Sequence, residues 1–145
     1  MKKAGLLILA SIFVIFTITI CSAAVHYVKA PPLTQSVKGS VSNVKGGITQ
    51  VPLITWGGDE ATILANGNAR TTKKGSIFSK LGLKLKLVRE DNFKNQIESY
   101  LKGETPYLRG TMGMVNMAAE VLSKDSRTKP KIIYQLTWST GGDAL

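Results

Sequence analysis

Three short stretches of this chain hold the residues best suited to chemistry. Trp56-Gly57-Gly58-Asp59 is the first, Arg109-Gly110-Thr111 the second, and Trp138-Ser139-Thr140-Gly141-Gly142-Asp143 repeats the theme of the first. Glycine lets a ligand approach the backbone, and a helix beginning after such a turn offers free N–H groups to an anion. Arg109 adds a guanidinium, and Thr111 adds a hydroxyl. Brought together, these residues would make a polar pocket with aromatic walls. Each also has a plainer reading: Gly-Gly as a tight turn, Trp as packing, Arg109 as a salt-bridged surface residue.

Little else is equipped for catalysis. His26 and Cys21 are the one histidine and the one cysteine of 145 residues. That speaks against zinc-hydrolase chemistry, a Ser-His-Asp triad, a multi-thiolate metal site and a disulfide framework. Asp59-Glu60 and Glu90-Asp91 are adjacent acids, whose side chains diverge on a helix or strand and make poor acid/base pairs. Neither the phosphate-binding G-x-x-x-x-G-K-[ST] nor the dinucleotide-binding G-x-G-x-x-G occurs. The residues therefore point to a binding module without a cofactor rather than to an enzyme.

The charge balance of 19 basic to 9 acidic residues, net +10, favours anionic surroundings. Lys73, Lys74, Lys80, Lys84, Lys86, Arg89 and Lys94 form a basic run that reads as a solvated face. It lacks the interleaved aromatics of a single-strand binder, so nucleic acid is not an expected partner.

The elements that would position the three loops begin after a distinct N-terminus. Lys2 and Lys3 precede Ala4–Ala24, 21 residues without a charge. At about 1.5 Å per residue that run can cross a hydrocarbon core of about 30 Å. Ser22-Ala23-Ala24 also supplies a small-x-small cleavage site. Residues 1–28 are therefore a signal peptide or a transmembrane anchor, and either one exports the rest. Ile20 before Cys21 departs from a lipobox, and His26 belongs at the membrane interface. Pro31-Pro32 ends any helix, and the Ser, Gly and Lys of residues 29–50 read as a flexible linker.

From Val51 the pattern alternates. Val51–Trp56 reads as an apolar strand, followed by a short helix containing Ala61, Ile63, Leu64 and Ala65 that Asn66-Gly67 closes. Ser76 caps a second short helix to Leu81. Leu83–Arg89 alternates Leu with Lys, as a strand at a sheet edge does. Phe93, Ile97 and Leu101 place a helix over Asp91–Lys102, which Gly103 stops. Tyr107–Thr111 is a weak strand. Met114, Met117, Ala118, Val121 and Leu122 mark the buried stripe of a helix over Met112–Ser123, and Lys131–Trp138 is the last strand. The order β-α-β-α-β-α-β implies an α/β fold with parallel strands. The ending Thr140–Leu145 looks like a turn into a further element, so the chain reads as the N-terminal part of a longer protein.

The runs V-P-L-I-T-W-G-G-D, K-L-V-R-E-D-N-F, Y-L-R-G-T-M-G-M-V-N-M-A-A-E-V-L and I-I-Y-Q-L-T-W-S-T-G-G-D-A-L resemble the first lobe of a type 2 periplasmic solute-binding protein of ABC importers. The resemblance covers residues 51–145 and lies nearest the nitrate/sulfonate/taurine-like and phosphate-like classes. It implies a parallel sheet of order 2-1-3 and an incomplete, partial α/β lobe. It also implies a small anionic solute, an ABC permease as partner, and an extracytoplasmic or periplasmic location, anchored through residues 4–24 if these are not cleaved. Carried over, the ligand-binding positions are Trp56, Gly57, Gly58, Asp59, Arg109, Gly110, Thr111, Ser139, Thr140 and Asp143. The second lobe and the return crossover of that family are missing from this chain.

Overall fold

The computed structural model describes residues 29–136. Five residues of alternating burial, Leu85–Arg89, form strand β2, and they need a neighbour for their backbone groups. That neighbour is β1, Thr49–Leu53, running parallel with Thr49 opposite Leu85 and Leu53 opposite Arg89. The fold is thus mixed α/β around a small two-stranded parallel sheet. The outer edge of β2 is partly covered by an antiparallel bridge from Thr71 to Lys86, where Leu87 N–H donates to the Arg70 carbonyl. Leu87 faces the interior while Lys84 and Lys86 stay exposed, as the alternation requires.

Between the strands run a 3-10 turn at Gly57–Asp59, helix α2 over Glu60–Ala65, and helix α3 over Ile77–Lys80. The Ser76 hydroxyl caps α3 by accepting from Ser79 N–H. After β2 come α4, Phe93–Leu101, and α5, Met112–Leu122. Each starts at a side-chain cap, Asn92 for α4 and Thr111 for α5. Gly103, at φ +66°, ends the α4 turn in the left-handed region.

The main core is where α4 meets α5: Phe93, Ile97 and Leu101 pack with Ala118, Val121 and Leu122. The expected apolar faces of both helices are therefore buried, with one exception. Met117 is 64 % exposed. Its place in the expected stripe is left in solvent because no element among the described residues covers that side of α5.

Part of the segment expected to be a flexible linker lies on this core. A short helix, α1 at Leu33–Ser36, precedes Val37 and Val41, and Leu33, Val37 and Val41 pack against the α4–α5 cluster. Ser42 N–H donates to the Leu101 carbonyl and Lys45 N–H to the Gly103 carbonyl. The compact unit accordingly begins at Pro31. Apolar side chains spaced four apart in a Ser/Gly-rich stretch were enough to hold it down.

Two expected strands do not form among the described residues. Tyr107–Thr111 stays irregular because side chains take the groups a ladder would use. Gln96 Oε1 accepts Arg109 N–H, and Thr105 Oγ1 donates to the Gln50 carbonyl of β1. Residues 131–136 are likewise irregular, with Ile132, Ile133 and Tyr134 exposed. Neither supplies the third strand of a 2-1-3 order, and the sheet has two strands. Strand β1 also starts and ends earlier than the apolar run suggests, because the chain leaves the sheet at Ile54 to enter the Trp56 turn.

Among the described residues no helix is long and apolar enough to cross a membrane. The apolar run of residues 4–24 lies outside the described residues, as do Trp138, Ser139, Thr140 and Asp143.

Candidate functional site

Parallel strands present their carboxyl ends on one side, and ligands of α/β proteins bind beyond those ends. Here the two ends are tied together. Glu90 N–H donates to the Leu53 carbonyl, extending the ladder by one bond. Beyond it, Asp91 accepts from both the backbone N–H and the hydroxyl of Thr55, and Arg89 stands 3.6 Å away. The Thr55 N–H, the Thr55 hydroxyl and the Arg89 charge all favour the ionised form and hold the Asp91 carboxyl below its usual range. Asp91, expected at the start of α4, reaches back to the first loop while Asn92 does the capping.

The first loop turns on Asp59. Its side chain is only 2 % exposed, and its two oxygens have separate tasks. Oδ2 accepts from Ile54 N–H at 3.0 Å, closing the turn immediately after β1. Oδ1 accepts from Arg109 Nε at 2.9 Å. The guanidinium of Arg109 also lies over the Trp56 ring, 5.1 Å from its centroid, a cation–π arrangement. Trp56 itself is 46 % exposed, so one part of the ring covers Arg109 while the rest faces solvent.

The two glycines differ in role. A Cβ on Gly58 would collide with the six-membered ring of Trp56, whereas one on Gly57 would meet nothing within 4 Å. The close backbone approach that Gly58 permits is thus taken by the protein's own indole. Gly110 similarly admits the Phe93 ring, with 3.2 Å between that ring and the place of a Cβ. Thr111 Oγ1 accepts from Met114 N–H at 3.3 Å as the cap of α5, leaving its O–H proton free to turn outward.

Trp56, Asp59 and Arg109 are therefore brought together beyond β1, with Gly57, Gly58, Gly110 and Thr111 beside them in the two loops. Asp59 joins the first loop to the second directly. Two further residues complete the arrangement without having been expected. Gln96 is buried, accepts from Arg109 N–H at 3.0 Å through Oε1, and donates from Nε2 to the Glu90 carbonyl at 2.8 Å. Thr55 links the first loop to Asp91. Gln96 left a signal in the sequence: it falls three residues after Phe93 and next to Ile97, on the apolar face of α4. A polar residue there must find partners in the interior.

Arg109 is 17 % exposed, and its Nη2 is buried without a hydrogen-bond partner among the described residues. The arrangement is a held cation beneath a half-exposed indole, beside the capped start of α5. Asp59 offsets the charge of Arg109, so the polar atom left over is a directed N–H donor rather than a bare positive charge. Such a donor suits an oxygen of a small anion or of a neutral polar solute. No family model matches the sequence, and no curated protein or solved structure matches it either.

Proposed function

We propose that this chain is a binding module, the solute-recognising part of an extracytoplasmic uptake system of the ABC type. The solute is small and anionic, and it meets the protein beyond the carboxyl end of β1. The observation that carries the reading is the buried Nη2 of Arg109, which has no hydrogen-bond partner among the described residues and belongs to a guanidinium lying over the Trp56 ring. Nη2 supplies a donor, Trp56 an apolar wall, and Thr111, two residues on at the start of α5, a hydroxyl. In this reading the described unit is the first lobe of a type 2 solute-binding fold, and the remaining contacts come from a second lobe. The permease of the importer is its partner.

The test is titration of the 145-residue chain with inorganic phosphate, taurine and nitrate, read by calorimetry and by tryptophan emission. One of these solutes, two anions and a zwitterion with an anionic sulfonate, should bind and shift the emission, and Arg109→Gln should weaken that binding by about tenfold or more, the equivalent of one lost charge-assisted bond. Absence of any heat or emission change with all three would refute solute binding by this chain. One observation favours a second reading, an interaction protein without a ligand. Asp59 already pairs with Arg109 through Nε, which makes the pair a structural tie between two loops.

A further inference from the structure

The basic run behaves differently from a merely solvated face. Between Glu60 and Glu90 the chain holds seven cations, Arg70, Lys73, Lys74, Lys80, Lys84, Lys86 and Arg89, and no Asp or Glu. Only Arg89 forms an ion pair with a described residue, and it does so with Asp91. The fold collects much of this charge. Lys74 and Lys84 line one shallow groove of about 320 Å3 together with Ile48, Thr72, Ser79 and Leu83. Lys86 follows Lys84 at the two-residue period of β2, and Lys80 ends α3 beside the groove.

Ile48 and Leu83 line the groove itself, and α3 and the turn after it add exposed aliphatic side chains. Leu81 is 68 % exposed, Ile77 55 % and Ile48 51 %. A few lysines alone would need no explanation, nor would scattered leucines. Four ammonium groups set among exposed aliphatic side chains, with no acid in the stretch, is the pattern of a surface that lies on an anionic bilayer. The lysines reach headgroup phosphates while the aliphatic groups enter the headgroup boundary. Nucleic acid fits less well. Its single strands stack on aromatic rings, and the stretch offers only Phe78, which is half-buried.

We propose that the face built from α3, the Leu81–Lys84 turn and the outer side of β2 docks on a bilayer containing anionic lipid. This docking is independent of the Arg109 site.

A fluorescent label at position 81 tests it. The 145-residue chain carrying Leu81→Cys and Cys21→Ser is labelled with nitrobenzoxadiazole. It is then reconstituted into vesicles of phosphatidylcholine alone, or of phosphatidylcholine with an equal amount of phosphatidylglycerol. Doxyl-labelled lipids should quench the label in the anionic vesicles at low salt and leave it largely unquenched in the neutral ones. At about 1 M salt, where the screening length falls to about 3 Å, the quenching should disappear. Replacing Lys74, Lys80, Lys84 and Lys86 by Gln should lower the docked-to-free ratio at least about a hundredfold, since one lysine near an anionic surface is worth about fivefold. Equal quenching in both vesicle types, quenching that survives salt, or release of the label by an equal concentration of a single-stranded oligonucleotide would overturn the proposal. The salt reversal is read on the intact patch and so does not depend on the fourfold variant folding.

Discussion

Removing the Asp59 carboxylate should unfold the protein far more readily than its place in a surface turn suggests. The side chain is 2 % exposed and holds two groups at once, Ile54 N–H and Arg109 Nε. In Asp59→Ala both lose their acceptor, and the Arg109 guanidinium, 17 % exposed, stays in place without its counter-charge. Breaking one side of a buried ion pair costs about 3–5 kcal/mol. The small residual exposure of Arg109 argues for the lower end, about 3 kcal/mol. Against a total stability of about 5–15 kcal/mol, that is a large fraction. Arg109→Ala should cost a similar amount, because it strands the carboxylate with one N–H donor. A surface arginine, the plainer reading of the sequence, would leave folding almost unchanged. Since the two residues share one bond, the double variant should be less destabilised than the sum of the singles by at least about 1 kcal/mol. Urea unfolding followed by circular dichroism measures all three, and amide exchange at Ile54 reports the loop directly. A cost below about 1 kcal/mol for Asp59→Ala, the range of exposed pairs, with Ile54 exchange unchanged, would show that the pair does not tie the two loops.

Gly103→Ala should be more damaging than Gly82→Ala, although both glycines have positive φ, +66° and +74°. The left-handed backbone costs an alanine about 1–2 kcal/mol at either position. At Gly103, however, the added methyl also strikes the Asn43 carbonyl, while at Gly82 it meets open space; equal midpoints in denaturant would refute the close docking of residues 42–45. Acid should destabilise the unit through Asp91, Glu98 and Asp125, all held below the usual carboxylate range, Asp125 at about 2. Depressed folded values mean that the stabilisation is full above the ordinary carboxylate pKa and is lost as pH falls through the folded one. For Asp125 the cause is the hydrogen bonds from Arg127, so Arg127→Gln should raise the pKa of Asp125 as followed by NMR, and an unchanged value would contradict that cause.

Local physics made much of this chain legible without its fold. The four-residue spacing of Phe93, Ile97 and Leu101 and the stripe of Ala118, Val121 and Leu122 mark helices whose buried faces are the core of the unit. The Leu/Lys alternation identifies a half-wet strand, although it forms only over Leu85–Arg89 and leaves Leu83 41 % exposed, and Ser76 identifies a cap. These features depend on neighbours within a turn or two, so the order of residues alone specifies them. The strand-end rule accounts for the Trp56–Asp59 loop after β1, but not for Arg109, because the strand expected to deliver it, Tyr107–Thr111, does not form and Arg109 reaches Asp59 from an irregular segment.

What the sequence could not decide was which distant group each polar atom would choose. Arg109 lies fifty positions from Asp59, and no periodicity relates them. Gln96 takes the Arg109 N–H that a third strand would have used, and Thr105 takes the Gln50 carbonyl at the edge of β1. Val37 and Val41 settle on a core whose surface exists only once α4 and α5 have met. Each polar outcome is a competition between alternative partners for the same buried donor or acceptor. An unpaired group in the interior costs more than a paired one gains, so the arrangement that satisfies the most groups prevails, and that sum is taken over the folded chain as a whole.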